Sequence, residues 1–301
     1  MTSTGSGKCL ESSLPPNHKS KLTSLMNTTP EQTRAFTLIE LLVVVAMISM
    51  LATLLLPALA SARPRVQHVT CSNNLKQVGV AFRTWALNHN GNMPMQVPYV
   101  MGGDSDDVGF RVLAATQKTS PTAGSRGVSM MFLRMTNELT TPKILFCPAE
   151  YETSLRQAAT SFAGNNIGNP NSIPFTNDLN VSYFIGVDAQ ETYPRMFLVG
   201  DHNIGGNANP PTVPYLAAPS TGVPFVYFGT NYTLNQGPAF LDNMHSKQGN
   251  VGLADGSVEW FNRSELQGAL RQTGDKGRVS GVFVQAAGVV GGVGINRIQL
   301  P

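Results

Sequence analysis

The sequence predicts an α+β fold, a long N-terminal membrane-anchoring α-helix packed on a small antiparallel β-sheet head. Three observations predict it. Residues 36–56 are an unbroken run of 21 with one charge, Glu40; at about 1.5 Å per residue this helix reaches roughly 31 Å, the thickness of a bilayer's hydrocarbon core. Beyond it, Cys71, Leu75, Val78, Phe82 and Trp85 recur at alternating steps of four and three, which sets them on one helical face. The chain also holds 29 Gly and 20 Pro but only 13% charged residues, a balance that favours short strands and many loops downstream of the helix.

Taken in order, the helix raises the question of Glu40. An acid at the centre of a span costs on the order of 3 kcal/mol, and less near the interface. Two readings are open. Glu40 is either an interfacial acid in the first turn, where the helix dipole favours negative charge, or the partner of a cation, and a cut after Ala35 would create one as the α-amino group of Phe36. Pro57 and Pro64 follow, each removing a backbone hydrogen bond, and Pro57 is the expected kink. The continuation carries Asn73, Lys76, Arg83 and Thr84 opposite its apolar stripe and ends near Asn90-Gly91, where Gly91 suits a C-terminal cap.

Residues 91–127, with Pro94, Pro98, Gly102-Gly103 and Pro121, read as an extended loop. Asp104, Asp106 and Asp107 within it are either a solvated turn, the favoured reading, or calcium ligands; the EF-hand pattern and its closing Glu are absent, and no other metal or cofactor is indicated. Residues 128–139 suit a short helix. Strand candidates follow at 143–147, 181–187, 195–199 and 225–228, rich in β-branched and aromatic residues and bounded by Gly, Pro and Asn. No helix of crossover length separates the last three, so antiparallel pairing is expected. The clearest hairpin joins 249–254 to 257–261 through Asp255-Gly256, the signature of a two-residue type I′ turn.

His245 stands ten residues before Asp255. A catalytic pair is the sharper reading, but no nucleophile elbow, HExxH or metal-spaced cluster accompanies it, and Asp201-His202 fares no better. The favoured reading is structural, with Asp255 in a turn and His245 satisfying backbone groups at the strand entrance; no enzyme is expected. The Gly-rich run 288–294 lacks the lysine and the strand-to-helix context of a phosphate loop and reads as tail. Net charge is +3, and residues 1–35 hold four cations against two acids, so the rest carries +1 and makes no electrostatic case for nucleic acid. Lys19, Lys21 and Arg34 before the span balance Arg63, Arg65 and Lys76 after it, so flanking charge does not orient it.

Ala35-Phe36-Thr37-Leu38-Ile39-Glu40, preceded by Arg34 and followed by the apolar run, resembles the processing site of the type IV pilin and type II secretion pseudopilin superfamily. The resemblance implies cleavage between Ala35 and Phe36 by a membrane prepilin peptidase, N-methylation of Phe36, and assembly with other pilin-like subunits through Glu40. Ala35 stands where Gly is commonest, and Met26 offers a start with a ten-residue leader. His245, nine residues and Asp255-Gly256 are similar to the H-x9-DG motif of a large group of pilin-like proteins; residues 71–79, 145–148 and 199–201 look like the same group.

The organisation expected is therefore a leader at 1–35, a transmembrane segment at 36–56, an amphipathic continuation at 57–90, a sheet head at 91–262 and a tail at 263–301. The expected protein is a single-pass inner-membrane subunit with a periplasmic head, assembled into a periplasmic or surface filament of a type II secretion or type IV pilus-like system. The alternative is a membrane-anchored envelope protein that never polymerises, with a binding head or, as the less favoured version, an enzymatic one. A head outside the cytoplasm permits a disulfide between Cys71 and Cys147; two reduced cysteines packed as small hydrophobes is the other reading.

Overall fold

A computed structural model describes residues 36–105, 127–151, 153, 156–162, 171–206, 226–230, 237–275 and 296–301. The chain divides into two units, Met1–Leu54 and Leu55–Pro301. Helix α1 is Leu38–Leu87, 50 residues, and runs through both Pro57 and Pro64. Its N-terminal part is solvent-exposed along its length and is long and apolar enough to cross a membrane.

In the second unit α1 shows the expected stripe. Cys71, Leu75, Val78, Phe82 and Trp85 are all buried, none more than 3% exposed. The helix stops in a Schellman arrangement: Asn90 takes φ 57, and the Gly91 N–H reaches back to the Ala86 carbonyl at 2.9 Å. Asn90 is thus the left-handed C′ residue, one position before the glycine expected there.

The sheet is six-stranded among the described residues, in the order β4-β8-β1-β2-β6-β7, with every recorded pairing antiparallel. Its strands are β1 (Tyr183–Gly186), β2 (Phe197–Asp201), β4 (Val226–Tyr227), β6 (Gly249–Leu253), β7 (Val258–Phe261) and β8 (Arg297–Gln299). A smaller sheet pairs β3 (Ile204–Gly205) with β5 (Ala239–Phe240). Alternation along β1 divides the core: Tyr183 and Ile185 pack with the α1 stripe, while Phe184 joins Val251, Leu253, Phe261 and Ile298. That second layer is closed by Leu266 and Leu270 of helix α4 (Arg263–Leu270). A long helix with a small antiparallel sheet is the α+β, pilin-like layout expected.

Four local expectations are corrected. Residues 143–147 are not a strand; Pro142–Leu145 is a 3-10 turn, because Thr141 caps the Lys143 N–H and Pro142 occupies the first helical position, which overrides β-propensity. The segment 128–139 is two helices, α2 (Val128–Arg134) and α3 (Thr136–Leu139), broken at Met135. The β6–β7 turn is not type I′: only Gly256 has positive φ, at 87°, while the Gly256 N–H bonds to Leu253 O and the Leu253 N–H to Ser257 O. This is a three-residue loop with glycine in the left-handed position, and Asp255 Oδ1 accepts from Ser257 N and Oγ instead. Finally, the chain beyond residue 262 is not all tail, since α4 covers the sheet and β8 is inserted between β4 and β1. The run 288–294, Phe225 and the Asp106-Asp107 pair lie outside the described residues.

Candidate functional site

Two places carry chemistry. At the start of α1, Thr37 Oγ1 accepts from the Glu40 N–H at 3.3 Å, while Glu40 Oε2 accepts from Thr37 N at 3.1 Å and from its hydroxyl at 2.9 Å. This reciprocal capping box satisfies two of the backbone donors that any helix start leaves open. Oε1 of Glu40 accepts no hydrogen bond among the described residues. The acid therefore has a local role in the first turn and an oxygen to spare. Ala35 lies outside the described residues; Phe36, next to it, is exposed.

The second place is in the head, around the Cys71–Cys147 disulfide. Helix α1 grips the chain on both sides of Cys147 with residues about two helical turns apart, one on each side of Cys71: Gln67 Nε2 donates to Pro148 O at 3.0 Å and Asn74 Nδ2 to Phe146 O at 3.3 Å. His245 Nε2 lies 3.3 Å from Cys147 Sγ and 3.5 Å from Asp201 Oδ2. His68 and Trp260 complete its surroundings, with ring centroids at 6.1 and 5.6 Å. Burial, with the charge of His68, lowers the His245 pKa to about 4, so the imidazole is neutral at pH 7. Burial raises Asp201 to about 7 against two hydrogen bonds from Asn250, N at 2.7 Å and Nδ2 at 3.0 Å.

Beside this locus is a network that sequence reading missed. Glu150 accepts from Ser182 Oγ at 2.7 Å and pairs with His202 Nε2 at 3.0 Å. Burial works against its ionisation, but the His202 hydrogen bond and charge, with Ser182 and the Arg156 charge, hold its pKa down to about 2. Its members are 32 and 52 residues from Glu150, so no local spacing announces them.

His245 and Asp255 are not brought together as a pair. Asp255 sits at the exposed loop, where its carbonyl accepts from Arg83 Nη1 at 3.0 Å, and Gly79 of α1 faces Gly256 closely. Strand β6 thus lies along α1, with His245 before it at the Cys71 turn and Asp255-Gly256 after it at Gly79 and Arg83. The hollows lined by Arg195, Glu259 and Gln272 and by Asp188, Asp275 and Arg297 contain neither His245 nor Asp201. Of the calcium candidates, Asp104 is buried and faces the Arg134 guanidinium at 3.5 Å, a cation already in place.

Among the described residues, one N-terminal apolar helix long enough to cross a membrane precedes an antiparallel head, a pilin-like layout that fits a membrane-anchored, single-pass protein. Residues 32–56 match the model of the prokaryotic N-terminal methylation motif, which indicates a type IV pilin- or pseudopilin-like precursor of the kind a prepilin peptidase processes. That motif suggests a structural subunit rather than an enzyme. No curated protein and no solved structure matches the chain.

Proposed function

We propose that the chain is cleaved between Ala35 and Phe36, N-methylated on Phe36, and assembled through Glu40 into a periplasmic or surface filament of a type II secretion or type IV pilus-like system. The observation that carries this reading is the Thr37–Glu40 capping box directly after the cleavage position, which leaves Oε1 of Glu40 open. Cleavage turns the amide nitrogen of Phe36 into an ammonium. A Phe36 ammonium of the next subunit, placed on Oε1, neutralises two charges that would otherwise oppose packing of apolar helices. The pair sets axial register, and the exposed apolar side chains from Leu38 to Leu56 supply van der Waals contact. In this arrangement the anchor lies in the inner membrane, the head in the periplasm, and His245 with Asp255-Gly256 serves as the clasp between hairpin and helix.

Glu40→Val tests it. The variant is expected to insert in the membrane and be cleaved, yet yield far less filament than wild type; wild-type filament yield would overturn the proposal. A second reading draws on the same box, because Thr37 already engages Oε2 of Glu40 within one chain. In that reading the protein remains a monomeric envelope anchor with a binding head, and detergent extraction gives monomer before and after cleavage.

A further inference from the structure

The side chains around the disulfide converge as metal ligands do. Cys71 Sγ, Cys147 Sγ and His245 Nε2 all lie within 4.8 Å of one another, and all three residues are buried. The 3.3 Å between Nε2 and the Cys147 sulfur matches two donors on one ion: with Zn–N near 2.0–2.1 Å and Zn–S near 2.3 Å, tetrahedral ligands stand roughly 3.3–3.8 Å apart. The neighbouring carboxylate stands on the metal-facing side of the imidazole, as a further ligand would, because Asp201 Oδ2 faces the same Nε2 at 3.5 Å and is held by two Asn250 donors. A second observation is independent of the donor set. Among the described residues, Oδ1 of Asp201 and Nε2 of His68 are buried without hydrogen-bond partners, so the locus holds unmet polar groups when its sulfurs are bonded to each other.

We propose that the reduced form of this locus is a zinc site, with Cys71, Cys147 and His245 as ligands and Asp201 beside the remaining tetrahedral position. The head then has two alternative staples between α1 and the segment after α3, a disulfide or a divalent ion. An external dithiol supplies two electrons; the S–S bond breaks, the dithiol closes to its own disulfide, and both cysteines become thiols. The ion replaces the two thiol protons, which pass to solvent. Borderline-soft Zn²⁺ suits a thiolate and imidazole set, whereas Ca²⁺ and Mg²⁺ demand oxygen donors.

The test uses the full chain in detergent with Cys9→Ser, so that the only thiols are the two at the locus. The protein is reduced, freed of reductant without oxygen, and titrated with Co²⁺ as the spectroscopic probe. The expected result is one equivalent bound, with visible bands of tetrahedral cobalt and a near-ultraviolet thiolate-to-cobalt band, both bleached by Zn²⁺. The oxidised chain shows neither band, and His245→Ala weakens binding at least about 10-fold. A reduced head that keeps its circular dichroism yet gives no thiolate-to-cobalt band overturns the proposal, as does unchanged affinity in His245→Ala. If reduction unfolds the head, the readout is refolding: recovery of circular dichroism on adding Zn²⁺ supports the site, and no recovery overturns it.

Discussion

Arg83 Nη1 donates to the carbonyl oxygen of Asp255 across 3.0 Å, tying helix α1 to the loop between β6 and β7. The bond works because Gly256 turns the chain at φ 87°, a conformation that side chains with a Cβ disfavour. Gly256→Ala is therefore expected to lower head stability by about 1–2 kcal/mol. Arg83→Ala, an exposed contact, should cost under about 1 kcal/mol. Urea unfolding followed by the fluorescence of Trp85 and Trp260 checks both; equal effects would place the stabilisation in the hydrogen bond rather than the turn.

The disulfide joins residues separated by 76 positions, and closing so long a loop removes much freedom from the unfolded chain. Cys71→Ala with Cys147→Ala should lose about 4 kcal/mol by the loop-entropy relation. The comparison is made with chelator present, so that no ion substitutes for the bond. A loss below about 1 kcal/mol would mean that Gln67 and Asn74 already hold the segment.

Glu150 makes the head acid-sensitive. Its pKa falls from 4.5 to about 2 on folding, so its contribution is complete above the unfolded value and disappears as pH drops through the folded one. The ceiling is about 3 kcal/mol for a shift of this size. Glu150→Gln should be less stable than wild type at pH 6, and the gap should close between pH 4.5 and 2. A gap that stays constant with pH would assign the effect to packing instead of charge.

The parts of this molecule that were legible in its sequence are those with a local period. The stripe from Cys71 to Trp85 and the β6–β7 hairpin declare themselves because each repeats at the spacing of its own geometry. Thr37 and Glu40 also form a readable signature, Thr-x-x-Glu before an apolar run, although a lone charge at the head of a span suggests an ion-pair partner first. Strand β8 was not legible: Arg297-Ile298-Gln299 offers one apolar residue, and its place in the sheet comes from pairing with β1 and β4 across long stretches of chain. The surroundings of His245 were hidden for the same reason, since Cys147, Asp201 and His68 reach it only through the fold. Residues 143–147 show the opposite error, in which five strand-like residues yield to a Thr-Pro start one step earlier.

Cleavage between Ala35 and Phe36 is the claim on which assembly depends, because without it no Phe36 ammonium exists to meet Glu40. Mass spectrometry of the membrane-associated protein, reading its N-terminus, tests this directly. The account predicts a chain that begins at Phe36 and carries one methyl group on its nitrogen. A chain that still begins at Met1 or Met26 in cells with an active prepilin peptidase would contradict it and leave a plain signal-anchored protein.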